Sequence, residues 1–198
     1  VINYYVVAEL VQSPETYRLD YLAPDGRSGA ITVLAVDARN DLAIVKADQL
    51  AARPLPLARV PLAKGARAYS VGYPLDVGLT ITEGIANGIV EDNFIDRIHY
   101  SGAINGGMSG GPALNEAGEV IGVNVSGYRF EQLVSFLVPV DAVAKLVEQV
   151  PATAADLAVI AKTVDHQLHA HSADLLAALP GKLATENSTG YLLPAKLA

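Results

Sequence analysis

The sequence predicts an all-β body at residues 1–150 and a helical extension at 151–198. Over roughly the first 140 positions, short apolar runs alternate with turn residues, and the chain carries 17 glycines and 11 prolines. Many short strands joined by such turns are typical of a barrel or a sandwich. Beyond Pro139, apolar residues recur at helical spacing instead, which predicts that helices close the chain.

Two turns define the first hairpins. Pro24-Asp25-Gly26 separates Tyr17–Leu22 from Ala30–Val36, and proline followed by glycine supplies the backbone angles that a tight turn needs. The second turn lies at 115–118, between the runs 111–114 and 120–125. Further strands are predicted at Asp41–Lys46, Ala68–Val71, Leu79–Val90, Arg97–Ser101 and Val134–Val138. The apolar start at Val1 predicts that the chain begins inside a strand.

The sequence beyond Pro139 predicts helices. Asp141–Val150 has apolar residues at helical spacing, so a helix should close the β body. Thr153-Ala-Ala-Asp156 resembles a capping box, and the apolar stripe beyond it predicts one or two helices over about 153–179. These helices either pack on their own domain or form a contact between copies in a homo-oligomer.

Composition excludes several classes of function. The formal charge is -7 and shows no basic cluster, so we expect no nucleic-acid partner. Without cysteine there is no disulfide, no thiolate nucleophile and no cysteine-based zinc site. No apolar run approaches the roughly 18 residues of a membrane span. His166, His169 and His171 do not all share one helix face, so we predict neither a metal site nor a cofactor.

One serine is surrounded by glycines, in Gly106-Gly107-Met108-Ser109-Gly110-Gly111-Pro112. Residues without Cβ let backbone N–H groups approach a substrate carbonyl while the hydroxyl stays exposed. The pattern therefore indicates a nucleophile beside an oxyanion hole. A glycine-rich turn with an incidental serine, in a purely structural barrel, is the alternative.

The serine segment 103–112, AINGGMSGGP, resembles the AINPGNSGGP motif of trypsin-like serine proteases of the HtrA/Deg branch. Asp41–Lys46 resembles the DLAVLK strand of that branch, and Ser135–Val140 resembles its GFAIPV strand. The resemblance spans residues 1–150 and implies two six-stranded antiparallel barrels. In the family, strands of the first barrel precede the histidine motif, which corresponds to residues 2–7 here. The first barrel is therefore either incomplete in this chain, with those strands in the full protein, or completed by something else.

The resemblance also implies roles for individual residues. Ser109 corresponds to the nucleophile, Asp41 to the orienting carboxylate, and the amides of Gly107 and Ser109 to the oxyanion hole. Ala103 and Ile104 fall at the base of the substrate pocket, which would then accept small or medium apolar side chains of a peptide or protein substrate. An extracytoplasmic location is implied by the resemblance alone.

The histidine of the family is missing from its motif. The family has TNxHVV where this chain has Ile2-Asn3-Tyr4-Tyr5-Val6-Val7, so Tyr5 occupies the histidine position. A phenol has an ordinary pKa of about 10 and is a proton donor at neutral pH. His99 lies ten positions before Ser109 on another strand and is not expected to substitute.

We therefore expect a serine endopeptidase domain that is inactive or weakly active and binds a peptide or partner. The alternative is an active endopeptidase whose histidine lies outside this chain or has been altered.

Overall fold

The computed structural model describes residues 1–48, 50, 52–74, 77–92, 95–127, 134–151 and 155–185. The strands are β1 (Asp20–Leu22), β2 (Ser28–Asp37), β3 (Leu42–Ala47), β4 (Ala66–Gly72), β5 (Thr80–Asp92), β6 (Ile95–Tyr100), β7 (Pro112–Leu114), β8 (Val120–Gly127) and β9 (Ser135–Pro139). The helices are α1 (Ala8–Gln12), α2 (Val140–Glu148) and α3 (Leu157–Thr185), and a 3-10 turn at Tyr4–Val6 precedes α1. The fold is mostly β, as predicted.

Six strands close into one antiparallel barrel, in the order β4-β5-β6-β9-β8-β7. The predicted hairpin at 115–118 is present, because the Asn115 amide donates to the Glu119 carbonyl between β7 and β8. Tyr100, Met108 and Leu137 are fully buried inside the barrel. One of the two predicted barrels is thus confirmed.

The remaining strands form an open sheet, β1-β2-β3, in place of a second closed barrel within the described residues. The predicted hairpin at Pro24–Gly26 joins its first two strands, with Tyr21 opposite Gly29. The apolar face of this sheet packs against helices, where α1 and α3 bring Val11, Ile160 and Val164 onto β2. Helices therefore supply part of the core that a full barrel would obtain from strands.

The start of the chain differs from the prediction of a strand. Ile2 forms only an isolated bridge with Ala43, and Tyr4–Val6 is a 3-10 turn. The reason lies in the packing of the next valines, because Val7 and Val11 are four residues apart and both are fully buried. A spacing of four residues puts both valines on one face of a strand or of a helical turn. Their packing with Ile160 and Val164 of α3 favours the turn.

Two helices close the chain. The predicted helix at Asp141–Val150 is α2, whose Val143 and Leu146 pack with Leu42 of the sheet and with Val123 and Val138 of the barrel. The second predicted region is one continuous helix, α3. Its proposed capping residue Thr153 lies outside the described residues, but the Asp156 carboxylate accepts a hydrogen bond from the Ala158 amide. Over the part of the chain with described structure, no helix has the length and apolar character needed to cross a bilayer.

Candidate active site

Ser109 lies in the loop that leads from β6 into β7, and it is half-buried. Its Oγ donates a hydrogen bond to the Val125 carbonyl on β8. The hydroxyl thus faces the neighbouring strand of the barrel. A backbone carbonyl accepts this bond but cannot take up the proton.

The glycines beside Ser109 are required by close backbone contacts. Gly107 has φ +94°, and a Cβ there would lie 2.3 Å from the Tyr73 carbonyl oxygen. A Cβ on Gly111 would lie 2.1 Å from the Val71 carbonyl oxygen. Both distances are below any van der Waals contact, so the serine loop lies directly on the end of β4 and the connection after it.

Two amides of the loop have no hydrogen-bond partner among the described residues. The amides of Met108, Gly110 and Gly111 donate to the carbonyls of Asn105, Asn124 and Met108, at 3.0, 2.9 and 3.0 Å. Within the described ranges, the amides of Gly107 and Ser109 donate to no other group. These are the two groups that the sequence assigned to an oxyanion hole, and free N–H donors are what an oxyanion binds.

Asn124 on β8 binds the serine loop through its side-chain amide. The sequence did not predict this residue as part of the site. Its Nδ2 donates to the Val71 carbonyl at 3.1 Å and to the Met108 carbonyl at 3.0 Å, and the side chain is fully buried. The available signal was a polar residue within the apolar run of β8, because a buried amide is retained where it satisfies backbone groups.

Asp41 ends the turn between β2 and β3 with φ +60°, a left-handed angle that Asp adopts more readily than most residues. Its Oδ1 accepts a hydrogen bond from the Tyr5 amide at 2.9 Å. Its backbone carbonyl accepts bonds from the Tyr4 amide at 3.1 Å and from Asn3 Nδ2 at 3.0 Å. The N-terminal segment is therefore bound to both the backbone and the carboxylate of Asp41.

Burial raises the pKa of Asp41, and the hydrogen bond from the Tyr5 amide and the positive charge of Arg97 act in the opposite direction. Arg97 is itself only 7% exposed, and its guanidinium donates to the carbonyls of Asn40 and Asp96. Arg97 is a second contributor that the sequence analysis missed. It places a fixed positive charge near the half-buried carboxylate.

Tyr5 points its side chain outward, with 55% of its surface exposed. Its segment also contacts the serine loop, because a Cβ on Gly110 would lie 3.2 Å from the Asn3 amide nitrogen. The structure thus brings the Tyr5 backbone, Asp41 and the Ser109 loop together where the open sheet meets the barrel.

The two predicted pocket residues are placed differently from each other. Ala103 is exposed, and its carbonyl accepts a hydrogen bond from Thr82 Oγ1 at 2.9 Å. Ile104 is 7% exposed and packs in the barrel core near Met108. Ala103 lies on the surface beside the serine loop, and Ile104 supports that loop from within.

The four histidines lie on β6 and α3, outside the Ser109 loop and the turn that carries Asp41. His99 is on β6, opposite Phe136 of β9, and the two ring centroids are 6.3 Å apart. His166, His169 and His171 are on α3.

The Trypsin-like peptidase domain family matches residues 3–123, a range that contains the open sheet, the serine loop and most of the barrel. The chain belongs to this family. Proteins similar to it include a DegP-like endoprotease and an HtrA-type protease, which agrees with the resemblance of the motifs at Asp41 and Ser109.

Two curated relatives of this trypsin-like domain show how much of the chain is shared. Protease Do-like 1, chloroplastic, of Arabidopsis thaliana is 30% identical over 131 residues, which cover 59% of this chain and 30% of the relative. The probable periplasmic serine endoprotease DegP-like of Pseudomonas fluorescens is 32% identical over 120 residues, covering 55% and 25%. The chain thus spans about a quarter to a third of the length of these relatives.

Solved structures share the fold. A serine endoprotease from Yersinia pestis has a TM-score of 0.65 at 23% identity, over 75% of this chain and 52% of the other. The HtrA-type protease AlgW with a tripeptide has a TM-score of 0.65 at 26% identity, over 75% of this chain and 50% of the other. The trypsin-like fold is therefore shared despite the open first sheet.

Proposed function

We propose that this trypsin-like domain is an HtrA-type endopeptidase domain with impaired catalysis, which binds a peptide or a partner protein beside Ser109. The observation that carries the proposal is the hydrogen bond from the Tyr5 amide to Asp41 Oδ1 at 2.9 Å. It joins the Tyr5 backbone to the carboxylate, and the resemblance of Ile2–Val7 to the related motif supports Tyr5 as the residue at the histidine position.

The chemistry follows from proton transfer. A serine hydroxyl attacks a carbonyl efficiently only if a base removes its proton, and a carboxylate holds that base in place. Here Ser109 Oγ donates to the Val125 carbonyl. The residue whose amide bonds to the Asp41 carboxylate is Tyr5, which carries a phenol. Without the base, trypsin-like sites retain roughly 10³- to 10⁴-fold acceleration over water.

Features that would bind a peptide are retained. The amides of Gly107 and Ser109 are free to bind a carbonyl oxygen within the described structure. Tyr73 and Val77 belong to the connection after β4, which contacts Gly107, and their side chains are 49% and 73% exposed. Exposed apolar side chains on a connection that contacts Gly107, together with two amides that have no partner among the described residues, suit an extended peptide with small or medium apolar side chains.

Two relatives add support. The AlgW structure holds a tripeptide, and the Pseudomonas fluorescens relative is named as periplasmic. We extend both features to this chain, as peptide binding and an extracytoplasmic location. A homo-oligomer contact through α3 stays a prediction.

An active endopeptidase is the second candidate, and the Gly107 and Ser109 amides favour it, because they have no partner among the described residues and are free to donate to an oxyanion. In this case the base would be a histidine that lies outside this chain or has been altered.

A fluorophosphonate probe separates the two candidates, because the oxygen of an activated serine attacks its phosphorus, forming a phosphonate ester and releasing fluoride. We expect the wild-type chain to label no faster than Ser109→Ala, and an apolar peptide carrying a fluorophore to bind both proteins, as measured by anisotropy. Rapid labelling that disappears in Ser109→Ala would overturn the impaired site. Absence of peptide binding to either protein would overturn the binding role.

A further inference from the structure

One face of α3 contacts the body of the protein. Ile160 and Val164 are 4% and 2% exposed, whereas Val159 and Leu168 on the same helix are 56% and 42% exposed. The buried residues are four apart, and Gln167 follows three residues later, so all three lie on one face. The exposed ion pair between Asp174 and Arg39 extends the contact but contributes little, because both side chains are solvated.

Gln167 bonds to the edge of β2 in the manner of a neighbouring strand. Its Nε2 donates to the Val36 carbonyl at 3.1 Å, and its Oε1 accepts from the Ala38 amide at 2.9 Å. A carbonyl and an amide two residues apart point to the same side of a strand and are the pair that an adjacent strand would bind.

This edge of β2 has no strand partner among the described residues. β1 pairs with β2 only at Ser28–Ala30, at the other end of the strand. At the β3 edge of the same sheet, Ala43 exchanges backbone hydrogen bonds with Ile2, at 2.8 and 2.9 Å. The carboxamide of Gln167 therefore takes the place of a missing strand at Val36–Ala38.

The buried face of α3 also contacts the segment that binds Asp41. Ile160 and Val164 share one apolar cluster with Tyr4, Val7 and Val11. Burial raises the pKa of Tyr4, and the charges of Asp165 on α3 and of Asp41 both add to this. Tyr4 thus packs its side chain with α3, while its backbone amide bonds to the Asp41 carbonyl.

The backbone amides of Tyr4 and Tyr5 connect this cluster to Asp41. The Tyr4 amide donates to the Asp41 carbonyl at 3.1 Å, and the Tyr5 amide donates to Asp41 Oδ1 at 2.9 Å. A displacement of Tyr4 toward a space left by α3 would carry both amides with it, because they belong to one 3-10 turn.

We propose that α3 is a positioning element for the candidate site: it completes the open sheet and, by packing on Tyr4, holds the Tyr5 amide on the Asp41 carboxylate. Val164 and Gln167 are positioning residues that act through Tyr4 and β2. Whatever displaces α3 would then loosen Asp41, so the C-terminal helix gives the site a point of control. The proposal concerns geometry and stands whether or not Ser109 reacts.

The test compares Val164→Ala with Val159→Ala, the same change on the buried and exposed faces of α3. In the wild type, ionisation of Asp41 should shift the Tyr5 amide proton resonance, because that amide donates to the carboxylate. In Val164→Ala we expect this pH-dependent shift to fall about two-fold and hydrogen exchange at the Tyr4 and Tyr5 amides to rise roughly ten-fold. Val159→Ala should match the wild type, and exchange at Ile98 in the barrel should stay constant in both.

Gln167→Ala gives a second route, with His166→Ala as the exposed neighbour. We expect Gln167→Ala to reduce the Tyr5 shift in the same direction and His166→Ala to leave it unchanged. Faster exchange with an undiminished Tyr5 shift would make α3 merely a structural support and overturn the proposal. An unchanged Tyr5 amide in both Val164→Ala and Gln167→Ala would do the same. Neither measurement requires turnover or a bound peptide, so failure of the peptide-binding proposal leaves this test intact.

Discussion

Replacing Gly107 by alanine should unfold or displace the serine loop, whereas the same change at Gly106 should not. At Gly107 the backbone has φ +94°, and the new Cβ would lie 2.3 Å from the Tyr73 carbonyl oxygen and 3.2 Å from the carbonyl carbon. A left-handed angle costs a residue with a Cβ about 1 to 2 kcal/mol. Overpacking against a backbone that must move costs a further 1 to 3 kcal/mol or so. We expect Gly107→Ala to lower the free energy of unfolding by about 2 to 5 kcal/mol.

Gly106 is the matched control, because a Cβ there would meet no heavy atom within 4 Å and its φ is not left-handed. Gly106→Ala should change the free energy of unfolding by no more than about 0.5 kcal/mol. Equilibrium urea unfolding of both variants measures the difference. Equal stability of the two would refute the contact between Gly107 and Tyr73, and with it the oxyanion geometry.

Three further predictions concern the support of the site. Asn124→Asp replaces a buried donor with an acceptor that faces the Val71 and Met108 carbonyls. The free energy of unfolding at neutral pH should therefore fall by about 3 kcal/mol or more. A smaller loss of stability in Asn124→Asp than in Asn124→Ala would contradict the role of this donor. Asp41→Asn should stabilise the fold at neutral pH, because the folded-state pKa of Asp41 is raised above 3.8 and the wild-type fold loses stability as pH rises through that window. Asn keeps an acceptor for the Tyr5 amide and tolerates φ +60°, so its advantage should vanish in urea titrations below about pH 3.8. Arg97→Met should raise the pKa of Asp41 further, because it removes the positive charge that favours the ionised carboxylate. The carbon-13 chemical shift of the Asp41 carboxyl measures this pKa, and a lower pKa in Arg97→Met would contradict the effect of Arg97 on Asp41.

Local signals in the sequence predicted the strands and the serine loop, and the family resemblance predicted the barrel. Glycine and proline turns separate the strands, and the barrel strands lie within a few residues of their predicted ranges. The glycines beside Ser109 predicted a close backbone approach, and the structure shows that approach at Tyr73 and Val71.

The rest depends on contacts between distant parts of the chain. Gln167 bonds to Val36, 131 positions away, so no local pattern could show that α3 completes the sheet. The valines at 7 and 11 suit a strand or a helical turn by composition, and their burial against α3 decides for the turn. Asp41 was placed by its resemblance to a motif alone, since its left-handed angle and its bond to the Tyr5 amide follow from tertiary packing.

The most direct test of the impaired site is the activity of Tyr5→His. The specificity constant kcat/KM for an apolar peptide substrate should be measured for the wild type and Tyr5→His, each with and without Ser109→Ala. If only the base is missing, an imidazole at position 5 should raise kcat/KM by at least about 100-fold, and Ser109→Ala should abolish the gain. No gain in Tyr5→His, or a wild type that already cleaves as fast through Ser109, would contradict the account.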